Sequence, residues 1–436
     1  MSDHKIHKPK PVSGFPEWLP EYRAVELQWL DKIRKVFESY GFGNIETPAI
    51  EEIELLTAKG GETENEIYTL TRLQAEEGDK DARLALHYDL TVPMARYVAQ
   101  HFGGLVFPFK RYQMQKVWRG ERPQKGRYRE FYQCDIDVVN IDDLPLHFDA
   151  ELPAVLFEAY QALGIPPVEL RINNRKIIMG YLAGLGINDP GVVTRTLDKL
   201  DKIGPDGVLK TLTASGVPDD IAKKALAFVS IKTSDGSFFE KVQALGVTSE
   251  LMTQGLNELK FVTDNLAHLP QGAIVADLGI IRGLDYYTGT VLEARFRDGA
   301  PLSIGGGGRY DNLAGSFINQ KLPGIGVSIG LTRLFGLLMD KGEIVAGQKA
   351  PTQVLVVLPE ESIRPLASAT ANTLRSRGYN VEMYHRDAKI KNQLAYAEKK
   401  GIPFVWFPPF SEGKPHEVKN MGMGTQTPED PKNWKP

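Results

Sequence analysis

The sequence predicts a mixed α/β (α+β) chain: a sheet-based core interrupted by a helical insertion and followed by a small C-terminal βαβ module. Three observations carry this expectation. The 436 residues exceed what one hydrophobic core usually serves. Residues 175–265 switch to helical spacing between two sheet-forming stretches. Beyond the polar "KGEIVAGQKAPT" the chain alternates strand, helix, strand, helix, strand. With 42% hydrophobic and 25% charged residues and no run of eighteen apolar positions, the composition is that of a soluble globular protein with no membrane span. The polar, proline-interrupted start "MSDHKIHKPKPVSGFPEWLP" lacks the features of a secretory or transit peptide and reads as a short disordered lead. Cys134 is the only cysteine, which excludes an internal disulfide and a Cys-cluster zinc site and makes the cytoplasm the default compartment. A net charge of −3 confines any nucleic-acid contact to local patches.

Taken in order, residues 21–40 place Val25, Leu30, Ile33, Phe37 and Tyr40 at amphipathic-helix spacing, and Gly41 and Gly43 stop that helix. "NIETPAIEE" has strand character at Ile45, Thr47 and Ile50, but Pro48 restricts it to an edge or interface strand. The runs "FPFKRYQMQKVW" and "EFYQCDIDVV" flank "RGERPQKGRYR", whose Pro123 and Gly126 form turns, so a basic segment sits on a long hairpin loop. Four helical stretches follow from 175 to 269. Sheet signals resume at "GAIVADLGIIRGLDYYTGTVLEARF" and "PLSIGGGGRYDNLAG", and "GIGVSIGLTRLFGLLMDKG" reads as a strand feeding a helix that ends at Gly342. The C-terminal module is expected to carry a parallel sheet.

Several chemistries are excluded. The first C-terminal strand leads into "LPEESIRPL", which lacks the glycines a pyrophosphate requires, and neither a P-loop nor an H-E-x-x-H pattern occurs. "GGGG" at 305–308 reads as a tight strand connection or a close approach to a ligand, and Cys134 as a core residue. The hairpin holds Lys110, Arg111, Lys116, Arg119, Arg122, Lys125, Arg127 and Arg129 against Glu121 alone before Glu130. Such a run is ordinarily a solvated edge. Here, however, Arg119 ends an aromatic strand and Phe131 starts the returning one, a placement suited to forked phosphate binding and base stacking. A nucleotide and a polyanion together would use both.

These residues resemble the class II aminoacyl-tRNA synthetases, and within them the histidyl-tRNA synthetase family. "GFGNIETPAIE" (about 41–51) is similar to motif 1, with Pro48 at a dimer interface; motif 2 covers about 108–139 and motif 3 about 324–340, with Arg333. The tighter signatures are "RGLDYYTGTVLEA" (282–294) and "GGRYDNL" (307–313). The resemblance implies an antiparallel-sheet catalytic domain over 1–345, an insertion over 180–265 near the tRNA acceptor stem, and an anticodon-binding domain over 350–436, where Lys389, Lys391, Lys399 and Lys400 supply charge. It implies activation of L-histidine by ATP to histidyl-adenylate and transfer to tRNA(His), by a cytoplasmic homodimer with no membrane attachment. Arg119 would hold the α-phosphate, Glu121 would lie near the adenine, and Phe131 and Arg333 would sandwich the base. Mg²⁺ would ride on the ATP phosphates without a dedicated protein site. Histidine would meet Asp89 and Thr91 at its α-amino end, together with Leu90, Arg119, Gln133, Asp137, Arg282, Tyr286 and Tyr287, with Arg119 and Arg282 catalytic. Arg122, Lys125 and Arg127 would face the tRNA acceptor end.

Local alternatives stand beside these roles: Asp89 as a helix N-cap, Asp137 as an exposed strand residue, the tyrosines as sheet packing. A carboxylate such as Asp137 suits an imidazole N–H, and a site built on that bond rejects analogues lacking it by roughly 10⁴–10⁵, which removes the need for editing. Two positions depart from the family pattern: His87, where many relatives carry arginine, and Thr332, where motif 3 often has glutamate. The alternative reading is a catalytically silent relative that regulates ATP phosphoribosyltransferase.

Overall fold

The computed structural model describes residues 8–57, 65–72, 83–187, 189–281, 287–299, 302–311, 315, 317–411 and 413–436. Two compact units divide the chain: one of residues up to Pro16 with Trp29–Glu343, the other of Glu17–Gln28 with Ile344–Pro436.

Helix α1 (Pro20–Ser39) buries Ile33 and Phe37 and stops before Gly41, whose φ of +78° favours glycine. The expected single edge strand around Pro48 is instead divided. β1 (Gly43–Asn44) lies parallel to β5 (Phe109–Trp118) in the main sheet. β2 (Ile50–Glu52) joins β3 (Thr69–Leu70) and β4 (Leu84–Leu86) in a separate three-stranded sheet in the order β2-β4-β3. Pro48 stands between them, where its missing N–H costs neither ladder a bond. Short helix α2 (Ile53–Thr57) follows β2, and α3 (Thr91–His101) follows β4.

β5 and β6 (Glu130–Val139) form an antiparallel hairpin paired along all ten residues, with 119–129 as its loop. Helix α4 (Phe148–Leu163) is apolar around most of its circumference and is buried accordingly. β7 (Val168–Asn174) leads to the helical stretch: α5 (Arg175–Gly184), α6 (Pro190–Leu197), α7 (Leu200–Ala214), α8 (Asp219–Val229), a two-residue strand β8 (Lys232–Thr233), α9 (Phe238–Gln243) and α10 (Glu250–Asn265). Asn174, Asp189 and Ser249 cap α5, α6 and α10 by accepting backbone N–H bonds from Lys176, Gly191 and Met252. β9 (Ile274–Asp277), β10 (Thr290–Phe296), β11 (Gly305–Tyr310) and β12 (Gly324–Gly330) complete a nine-stranded sheet, followed by α11 (Leu331–Asp340). Its order among the described residues is β1-β5-β6-β12-β11-β10-β7-β9-β8, antiparallel except at β1/β5 and β7/β9.

The tetraglycine is no strand connection: it forms the first four residues of central strand β11. A Cβ on Gly307 would stand 2.0 Å from the Gly326 carbonyl oxygen, and one on Gly305 2.3 Å from the Tyr160 hydroxyl, so side chains there have no room.

The second unit holds β13 (Val354–Val356), α12 (Arg364–Ser376), β14 (Val381–Met383), α13 (Ile390–Lys400), β15 (Phe404–Phe407), β16 (Glu417–Asn420) and β17 (Gln426–Pro428). The expected parallel sheet is present as β14-β13-β15, but β16 and β17 extend it antiparallel. Its core centres on Leu355, Val356 and Trp406, all fully buried, with Trp434 edge-on to Trp406 at 5.5 Å.

Candidate active site

Strand alternation builds the site. Gln133, Asp135 and Asp137 share one face of β6, and the register places Gln115, Gln113 and Arg111 of β5 and Gly330, Ser328 and Gly326 of β12 beside them. This face walls a cavity of about 230 Å³ and an adjoining recess of about 20 Å³. Gly326 makes room for a carboxylate, because a Cβ there would fall 2.0 Å from Asp137 Oδ1.

At the recess end, Asp137 is 2% exposed, so it is not a solvated strand residue. Its Oδ2 pairs with Arg111 Nη2 at 2.5 Å and its Oδ1 accepts from the Tyr310 hydroxyl at 2.8 Å. Burial pushes its pKa up, and Arg111 and the tyrosine bond oppose that rise. Arg111, counted among the hairpin cations, is wholly buried; its Nη1 donates to Gln113 Oε1 at 3.3 Å, and its Nη2 also reaches the Leu90 carbonyl at 3.4 Å. Burial likewise pushes the Asp135 carboxyl up to about 7, against Arg111 and a hydrogen bond from Ser328. Asp89, also buried, accepts from the Val92 N–H at 3.1 Å in the first turn of α3 and is raised mainly by burial, against Val92 and the Arg119 charge. It therefore bonds the start of that helix and faces the cavity as well. Thr91 and Tyr287 line both spaces, while Leu90 is packed in the core and contributes its carbonyl.

The main cavity beyond the recess is rich in cations. Arg119 Nε donates to the Tyr88 carbonyl at 3.0 Å, and its guanidinium lies 5.2 Å from the centre of the Phe131 ring. Glu121 pairs with Arg127 at 3.1 Å. Arg333 donates to the carbonyls of Gly126 at 2.7 Å and Ser303 at 2.9 Å, which ties the hairpin loop to α11. Arg119, Glu121, Arg127, Phe131 and Arg333 all line the cavity; Arg122 and Lys125 do not, and both are exposed. Arg282 and Tyr286 lie outside the described residues.

The two departures from the family pattern have structural roles. His87 is fully buried, its Nε2 2.8 Å from the Lys116 carbonyl, and burial lowers its pKa, so it is a neutral ring donating that proton. The Thr332 hydroxyl accepts from the Tyr132 N–H at 2.8 Å and joins α11 to β6. Sequence reasoning passed over Arg111, Asp135, Tyr310 and Ser328. The signal available for the first was the alternation that puts Arg111, Gln113 and Gln115 together on one face of the strand.

An antiparallel sheet carrying a motif 2-like hairpin, with arginines lining its main cavity and carboxylates its recess, is the architecture of a class II aminoacyl-tRNA synthetase. Residues 14–334 match the profile of the family described as Histidyl-tRNA synthetase, and 353–413 that of the Anticodon binding domain. The histidine–tRNA ligase of Thermobifida fusca is 57% identical over 100% of both chains, and that of Bifidobacterium longum is 46% identical over 98% of this chain and 96% of its own. The crystal structure of histidyl-tRNA synthetase from Nostoc sp. PCC 7120 superposes with a TM-score of 0.85 at 38% identity, covering 97% of each chain. This chain belongs to the histidyl-tRNA synthetase family. A Bacillus halodurans structure titled as an ATP phosphoribosyltransferase regulatory subunit/histidyl-tRNA synthetase shares the fold, with a TM-score of 0.75 at 19% identity over 93% of this chain and 99% of that one.

Proposed function

We propose that this chain activates L-histidine with ATP and transfers it to tRNA(His). The observation that carries the reading is the polarity of the cavity: Asp135 and Asp137 line its recess, while Arg119, Arg127 and Arg333 line the main space, with Asp89 beside Arg119 between them. A zwitterionic amino acid with a cationic amino group and a reacting carboxylate, placed beside a polyphosphate, needs that gradient.

Histidine's carboxylate attacks the α-phosphate, a P–O bond to the acyl oxygen forms, and the bond to pyrophosphate breaks. Arg119 supplies fixed charge to the phosphoryl oxygens during this displacement, where a guanidinium acts electrostatically and not as a base. Phe131 and Arg333 embrace the adenine and Glu121 lies at its edge; stacking contributes about 1–3 kcal/mol per base, enough to orient ATP without trapping it. Arg282 is assigned to the substrate carboxylate and α-phosphate, and Tyr286 with Tyr287 to the side-chain pocket. Thr91 and Gln133 complete the amino-acid site, and Asp137, held by Arg111 and Tyr310, takes the imidazole N–H. Mg²⁺ would ride on the ATP phosphates, without a dedicated protein site, and neutralise part of their charge. The ribose hydroxyl of the tRNA then attacks the adenylate carbonyl, releasing AMP.

Arg122 and Lys125 are exposed on the hairpin loop and serve the acceptor end, with Arg127 at the cavity wall. Residues 1–345 are assigned to catalysis, 180–265 to the acceptor stem and 350–436 to the anticodon, with Pro48 at a homodimer interface in a cytoplasmic enzyme. No helix among the described residues is long and apolar enough to cross a membrane. The test is charging of bulk tRNA with labelled histidine. Acid-precipitable histidine that depends on ATP supports the reading; its absence in folded protein overturns it and favours a regulatory role.

A further inference from the structure

The stretch ahead of α1 reads as a disordered lead in the sequence, yet the structure docks it at Gly14. The Gly14 carbonyl accepts the backbone N–H groups of Arg129 at 2.7 Å and Glu130 at 3.3 Å, where the β5–β6 loop returns into its strand. The approach is close to both arms of that loop. A Cβ on Gly14 would stand 2.9 Å from Pro123 Cγ on the outgoing arm and 2.9 Å from Arg129 Cγ on the returning one. Its φ of +85° adds the second reason for glycine. Gly14, Phe15 and Pro16 wall a surface hollow of about 270 Å³ with Pro123, Arg127 and Tyr128. Arg127 and Tyr128 line the catalytic cavity as well, so a single layer of loop separates this strap from the substrate space.

The hydrogen bonds run on from the strap into the site. Arg129 accepts the Arg119 N–H on its carbonyl at 2.9 Å, and its Nε donates to the Glu121 carbonyl at 3.1 Å. Glu130 immediately precedes Phe131. Arg119, Glu121 and Phe131 are therefore each one hydrogen bond or one peptide bond from a residue that Gly14 holds. Two other tethers act elsewhere on the loop: the Gly120 N–H meets the Glu66 carbonyl at 2.7 Å, and the Gly126 carbonyl takes Arg333 Nε. We infer that Gly14 is a positioning residue for adenylation, holding the returning arm so that Arg119, Glu121 and Phe131 meet ATP in one preset arrangement. This rests on the ATP-dependent reading above and adds to it a residue outside the cavity. A loop ordered in advance leaves less ordering for ATP to supply on binding. Two backbone hydrogen bonds of ordinary strength change that ordering equilibrium about 5- to 150-fold.

The test uses the full chain with Gly14→Val, whose branched side chain cannot enter between the two arms, and Ser13→Ala at the exposed neighbour as control. In histidine-dependent ATP–pyrophosphate exchange, Gly14→Val is expected to raise the KM for ATP about 5- to 150-fold. The kcat, and the KM for histidine at saturating ATP, should stay within about twofold, and Ser13→Ala should match the wild type. Trypsin gives a second readout, since a released loop opens more often to cleavage. Cutting after Arg122, Lys125, Arg127 or Arg129 should be at least about fivefold faster in Gly14→Val, and saturating Mg²⁺–ATP should restore the wild-type rate. An unchanged KM for ATP in folded Gly14→Val overturns the inference, as does an equal rise in the KM for histidine or unchanged cleavage. Should the variant not fold, amide hydrogen exchange of the wild-type protein decides: the Arg129 and Glu130 N–H groups should exchange at least about fivefold slower than in a free peptide. Exchange at the free-peptide rate overturns the inference. Wild-type protein without histidine-dependent exchange would instead remove the histidine reading, while cleavage and its suppression by Mg²⁺–ATP still decide the role of Gly14.

Discussion

Replacing Arg111 with leucine removes the only guanidinium within reach of Asp137 among the described residues and leaves that carboxylate in a site that is 2% exposed. Breaking a buried pair by deleting one partner costs about 3–5 kcal/mol, because the remaining charge has lost its compensation. Tyr310 still donates to Oδ1, so the loss should fall toward the lower end, near 3 kcal/mol at pH 8. The pH dependence is the sharper part. Burial already raises the folded pKa of Asp137, and losing Arg111 raises it further, while the unfolded chain keeps its ordinary value near 3.9. An acid whose folded pKa is raised destabilises the fold as pH climbs above the unfolded value, by roughly 1.4 kcal/mol per unit until the folded pKa is passed. Denaturant melts at pH 5 and pH 8 should therefore show a smaller Arg111→Leu penalty at pH 5, and Asp137→Asn added to Arg111→Leu should recover much of the loss at pH 8. A penalty under about 1 kcal/mol, or one equal at both pH values, would refute the buried-pair argument.

Three further outcomes follow. Phe131→Ala should raise the KM for ATP about 5- to 150-fold, the loss of one base-stacking surface, with a smaller effect on histidine, measured by pyrophosphate exchange. Arg122→Ala and Lys125→Ala should leave exchange unaltered but weaken tRNA charging, each reducing the slope of log KM for tRNA against log salt by about one. Gly307→Ala should destabilise the fold by about 1–3 kcal/mol or more in thermal melts, because its methyl would meet the Gly326 carbonyl in a central strand; an unchanged melt would contradict the packing described.

Much of this was legible in the sequence, and the remainder was obscured for identifiable reasons. The β5–β6 hairpin declared itself through β-rich runs around a proline and a glycine, and the cavity residues Arg119, Phe131, Gln133 and Asp137 lie on its strands or at their ends. Arg111 was hidden because cation density suggests a wet surface, and only pairing with Asp137 reveals a guanidinium inside the sheet. Asp135 was masked by its neighbour: one carboxylate answered the need for an imidazole acceptor, and nothing linear shows that Arg111 and Tyr310 already engage it. The tetraglycine read as a tight strand connection or a close approach to a ligand because glycine is a strand breaker by propensity; it is a strand, and its Gly305 and Gly306 line the cavity. Its strand exists because neighbouring backbone and Tyr160 come too close for side chains, a tertiary fact. α4 escaped periodic analysis because both of its sides are apolar, and β16 and β17 escaped because short polar segments carry little alternation.

The central claim is that an arginine-lined cavity with an acidic recess activates histidine. Its most direct measurement is ATP–pyrophosphate exchange by the full chain across the twenty amino acids without tRNA. Exchange that depends on histidine alone, exceeding every other amino acid by at least about 10⁴, is the predicted result. Exchange driven by another amino acid, or none with folded protein and Mg²⁺–ATP, would contradict it.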